Sequence, residues 1–89
     1  MRTVSKFPLM VGDRISVSMP VGAQILRFEM QEGVPTLWAL VDDRAPVETR
    51  RFRLAGTGDP LDDLRGEVCY LGTIFPPSGL VFHLFEFER

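Results

Sequence analysis

Eighty-nine residues, 45% of them apolar and 25% charged, describe one globular domain spanning 1–89, not a disordered chain or two domains. A net charge of −2 argues against a nucleic-acid partner, and no apolar run approaches the ~18 residues of a membrane-spanning helix. The single cysteine, Cys69, excludes an internal disulfide and a zinc site of ordinary Cys/His spacing.

The opening "MRTVSKFPLMVGD" lacks the apolar stretch and small residues of a secretory signal, so the chain reads as soluble and cytoplasmic. From there the apolar pattern has period two nearly throughout, the mark of half-buried strands. In "RISVS", Ile15 and Val17 point one way and Arg14, Ser16 and Ser18 the other. In "ILRFEMQ", Leu26, Phe28 and Met30 share one face, with Arg27, Glu29 and Gln31 outward. Glu32-Gly33 then predicts a tight hairpin, with Gly33 at positive φ. Leu37 to Val41 is apolar on both faces, which places that strand centrally and makes Trp38 a core anchor or interface candidate.

"DDRAPVE" carries turn chemistry. In "TRRFRLA", Phe52 and Leu54 face one way, Arg51 and Arg53 the other, and Arg50 opposes those two arginines. "GTGDPLDDLRGE" reads as a longer loop with one helical turn near Leu61–Leu64. "VCYLGTIF" and "LVFHLFEF" are two last strands around the turn "PPSG". Turn signals recur every 8–12 residues, and the prolines sit mostly at strand ends. The expectation is all-β: a single small antiparallel β-sandwich or partly open barrel of about seven strands.

Few residues invite chemistry. Gly56-Thr57-Gly58 lacks the lysine of a phosphate loop, and Asp59-Pro60 follows it, so it reads as a strand leaving its sheet. Asp59, Asp62 and Asp63 lack calcium-loop spacing and read as solvated loop acids. His83 has no nucleophile motif or orienting carboxylate near it in sequence, and reads as a packed, hydrogen-bonded core residue. Cys69, in an apolar segment, reads as an inert core thiol. The arginines 50, 51 and 53 have Asp42, Asp43 and Glu48 nearby for cross-strand ion pairs, or form a partner-binding face.

"LVFHLFEFER" is apolar on both faces, with Val81, Phe85 and Phe87 opposed to Leu80, Phe82 and Leu84. That makes it central in its sheet or covered by a second molecule, with Glu86, Glu88 and Arg89 as gatekeepers. A domain this short buries only about 60–65% of its unfolded surface, so a homodimer with Phe85 and Phe87 at the contact is expected.

The blocks "KFPL" (6–9), "P-x-G-A-x-I-L" (20–26), "GVPTLWALVD" (33–42), "ETRRFRLAGTGDPL" (48–61), "YLGT" (70–73) and "LVFHLFE" (80–86) run through most of the chain. In that order they resemble a family of small uncharacterised proteins found in phages and bacterial prophage regions. The resemblance implies a phage or prophage setting and carries over no catalytic residue. Its members often have histidine where this chain has Asp59, which argues against a shared metal or acid–base role there.

The function expected is therefore non-enzymatic, without cofactor or metal: a phage accessory protein that binds a host or defence protein in the bacterial cytoplasm. The partner-binding candidates are Arg50, Arg51, Arg53, Trp38, Phe85 and Phe87. Two other expectations stand beside it, a structural or assembly component of the phage particle and a binder of a small anionic ligand such as a nucleotide.

Overall fold

Period-two alternation becomes seven strands in the computed structural model, which describes residues 1–10 and 12–88. They are β1 (Arg2–Pro8), β2 (Arg14–Pro20), β3 (Gln24–Gln31), β4 (Val34–Asp42), β5 (Val47–Gly56), β6 (Val68–Ile74) and β7 (Phe82–Phe87). Every pairing is antiparallel. β1-β4-β3 form one sheet and β2-β5-β7-β6 the other. No helix occurs among the described residues, and none is long and apolar enough to cross a membrane.

The central positions of β4 and β7 follow from their two-sided apolarity. Between the sheets lie Met19, Phe28, Leu37, Ala39, Phe52, Leu54, Ile74 and Leu84, all buried. The β3–β4 hairpin closes in two residues, Glu32 (φ 49°) and Gly33 (φ 80°), both in the left-handed region that matches strand twist. The β1 segment, weakly patterned with Thr3, Ser5 and Phe7 on its inner side, was not legible as a strand, yet pairs with β4 along its whole length.

One expectation about side-chain direction and one about local backbone change. In β3 a bulge at Leu26 sets two residues against one on β4, so Ile25 turns toward the core and Leu26 faces solvent with Arg27. In the loop after β5 the segment Leu61–Leu64 closes as a hydrogen-bonded turn, with Leu64 N–H donating to Leu61 C=O, in place of the helical turn expected there.

Candidate functional site

β5 sends its charges both ways. On its inner face Arg50 is 6% exposed. Its Nε and Nη2 donate to the two carboxylate oxygens of Glu86 at 2.6 and 2.7 Å, and Nη1 donates to Ala23 C=O at 2.6 Å. The hydrogen bonds that Glu86 accepts hold the guanidinium's pKa above its ordinary value against the opposing pull of burial. This clamp ties β5, β7 and the β2–β3 connection together, and Glu86 is not a gatekeeper at a free edge. The arginine partners are Glu86 and, for Arg53, Asp63. Asp42 is engaged by Arg44 and the Met1 amino group, and Asp43 by that amino group.

Arg53 points outward and is still only 7% exposed. It donates to Asp63 at 2.9 Å and to the carbonyls of Leu54 and Pro60, pinning the 57–67 loop onto the sheet. Asp63, which also accepts from Arg14 at 3.3 Å, is thus a paired acid and not a solvated one, while Asp59 and Asp62 are exposed. Desolvation works against the Asp63 charge, but the Arg53 bond and the Arg53 and Arg14 charges outweigh it, so its pKa lies below the usual carboxylate value. A folded pKa below the unfolded one gives stabilisation that is complete above about pH 4 and is lost as pH falls through the folded value. Asp63→Asn is expected to remove that part of the acid-side decline, read from melting temperatures across pH 2–5 on the scale of about one such group.

The remaining outer surface of the four-stranded sheet carries the chemistry. Register places Tyr70 opposite Phe85 and Val68 opposite Phe87, and the Tyr70 and Phe85 rings lie 5.7 Å apart. The Arg14 guanidinium stands 5.9 Å from the Phe87 ring centre, within cation–π reach. Arg51 is exposed, and beside it a shallow cavity of about 300 Å³ is lined by Thr49, Phe87 and Glu88 among others. Of the three arginines proposed from the sequence, Arg51 alone faces solvent.

His83 sits on this same outer surface, half-buried and not in the core. Its Nε2 is 2.7 Å from the Thr57 hydroxyl and its Nδ1 2.9 Å from the Thr73 hydroxyl, which in turn bonds the Tyr70 hydroxyl. A hydroxyl within reach of an imidazole has the outline of a nucleophile and base, but a neutral threonine occupies the position an orienting carboxylate would take. The chain of bonds fastens the Gly56–Gly58 loop to β6 and β7. That loop's own groups are committed too: Gly56 N–H donates to the Asp59 carboxylate at 2.8 Å and Thr57 N–H to Val81 C=O. The acid thus holds the amide that a phosphate would need.

Trp38 lies apart from these residues, half-buried on the outer face of the three-stranded sheet with Lys6 and Arg27 as its cross-strand neighbours. Cys69 is exposed on β6, which overturns its reading as a core thiol. Arg89 lies outside the described residues. No cluster of His, Cys, Asp or Glu able to hold a metal occurs among the described residues. Tyr70, Arg14 and the Thr57–His83–Thr73 bonds were missed from the sequence, because they depend on the β6–β7 register and on a loop folding back.

These observations define a two-sheet β-sandwich with one outer face rich in aromatic rings and arginine. The chain matches, over residues 1–89, the family described as "Domain of unknown function (DUF7352)", and it belongs to that family. No curated protein and no solved structure matches it.

Proposed function

We propose that the protein is a non-enzymatic protein-binding module, phage- or prophage-encoded, that docks on a host or defence protein through the outer face of its four-stranded sheet. One observation carries the reading: Tyr70 (57% exposed), Phe85, Phe87, Arg14 and Arg51 share that face of a sandwich whose core is already filled. Aromatic rings beside arginine are the composition of interface hot spots. Arg53 is held in an ion pair and Arg50 lies on the inner side, so the proposed face offers chiefly Arg14 and Arg51 as outward cations, few for a phosphate backbone.

The test is capture from host lysate followed by titration of the purified pair. Arg51→Glu and Tyr70→Ala are each expected to weaken the defined complex about 30-fold or more, the effect of a hot-spot loss of ~2 kcal/mol. Trp38→Ala, on the other sheet, should leave it unchanged. Equal affinity for all three variants would sink the proposal.

A second reading, a small anionic ligand such as a nucleotide, is favoured by Arg51 standing exposed on the same face as rings on which a base could stack. A thermal-shift screen with nucleotides separates the two. A ligand at about 100-fold its Kd would add roughly 2.7 kcal/mol of stability.

A further inference from the structure

The four-stranded sheet has one undefended edge. In the β2–β5 ladder, Leu54 N–H donates to Asp13 C=O and Val21 N–H to Pro46 C=O, in the same register as the strand itself. Antiparallel pairs alternate between bonded and non-bonded, so the odd-numbered residues of β2 face β5. The backbone groups of Arg14, Ser16 and Ser18 therefore point to the free edge, and the N–H missing from Pro20 would also have pointed there. That is how a proline ends this strand without breaking its ladder.

The other edges are guarded. β1 carries Arg2 and Lys6, while β3 and β6 carry bulges at Leu26 and Leu71 and pack beside each other across the sandwich. β2 has regular pairing, two small serines and no charge beyond Arg14 at one end. Along it runs an open groove of about 390 Å³ lined by Leu9, Met10 and Arg14 to Ser18.

We propose that β2 pairs with β2 of a second copy of this chain, antiparallel about a two-fold axis at Val17, to make one eight-stranded sheet. The occupant follows from self-complementarity. In the register that overlaps all seven residues, Ser16 faces Ser18 of the second copy, Ile15 faces Met19 and Arg14 faces Pro20. The outward backbone groups of Ser16 and Ser18 then meet their counterparts, and the proline falls at the end of the ladder. The two Arg14 residues lie six residues apart along the ribbon, roughly 20 Å at strand rise, so like charges stay separate. The same two-fold leaves Tyr70, Phe85 and Phe87 uncovered. The homodimer expected from the sequence is thereby placed at an edge and not on the aromatic face, independently of what that face binds.

The full chain at micromolar concentration is measured by sedimentation equilibrium, with amide exchange read at Ser16 and Ser18. The expected results are a mass twice 10.1 kDa and slowed exchange at both amides. Ser18→Pro removes an N–H that points away from β5 and bonds nothing among the described residues, and should weaken association at least tenfold with an unchanged circular-dichroism spectrum. Should that variant fail to fold, Ser16→Lys with Ser18→Lys decides, since it crowds four cations about the axis and leaves the backbone intact. Phe85→Glu should remain dimeric. A monomeric wild type, fast exchange at both serines in a dimer, or a serine variant that still associates at full strength overturns the proposal.

Discussion

Replacing Glu86 with alanine is expected to lower folding stability by about 3–5 kcal/mol, the range for removing one partner of a buried ion pair. The reason is the group left behind. The Arg50 guanidinium, with two of its nitrogens on Glu86, would keep Ala23 C=O as its hydrogen-bond acceptor and the charge of Glu48 at longer range, in a space that leaves the residue 6% exposed. An arginine cannot shed its charge to escape burial. A domain of this length has roughly 4–13 kcal/mol of total stability at ~0.05–0.15 kcal/mol per residue, so the single change takes a large share of it. Replacing both partners, Arg50→Met with Glu86→Leu, should recover most of the loss. It would still orphan the Ala23 carbonyl, at about 1–3 kcal/mol. Urea denaturation of the three proteins checks this. A Glu86→Ala loss under about 1 kcal/mol would mean that water reaches the pair and that the clamp is not closed.

That pair also shows what could be read in advance. Arg50 shares the phase of Phe52 and Leu54, and Glu86 the phase of Phe82 and Leu84, so alternation alone puts both charges inside. What alternation does not contain is which strand lies beside which. The partner of Arg50 is 36 residues away in sequence, and cross-strand neighbours at that separation are set by topology, not by local pattern. The nearby acids 42, 43 and 48 were the natural local candidates, and the first two belong to the Met1 amino group and Arg44 instead.

Local chemistry was legible where it was sufficient. Glu32-Gly33 names its own turn, because only a residue tolerant of positive φ can close two strands in two residues. The Leu26 bulge is the opposite case. One extra residue flips the pattern partway along β3, and period counting then assigns Leu26 to the core in place of Ile25. For the outer face, Phe85 and Phe87 were visible as the excess apolar side of β7. Tyr70 and Arg14 join them only through the β6–β7 register and the reach of an arginine side chain across β5. His83 was given to the core because its neighbours Phe82 and Leu84 are apolar. Its own phase is that of Phe85, and the hydroxyls that satisfy it come from the Gly56–Gly58 loop and β6.

Phe52→Ala and Phe85→Ala should separate sharply, although both residues are phenylalanines on adjacent central strands of one sheet. Phe52 is fully buried between the sheets, and truncating it removes both its transfer free energy and the packing of the atoms around it. A loss of about 3–5 kcal/mol is expected, or a fall of roughly 15–30 °C in melting temperature for a domain of this size. Phe85 is on the outer face, half-exposed, with the Tyr70 ring as its aromatic neighbour. An aromatic pair of that kind contributes about 0.5–1.5 kcal/mol, so Phe85→Ala should cost under ~2 kcal/mol and leave the transition cooperative. Thermal melts of the two variants at equal concentration make the comparison. A small Phe85 effect means that the fold does not require the ring for its own stability, which is the condition for that side chain to serve an external partner. Comparable losses at both positions would make Phe85 a core residue in all but exposure, and would remove the aromatic face as the candidate interaction surface.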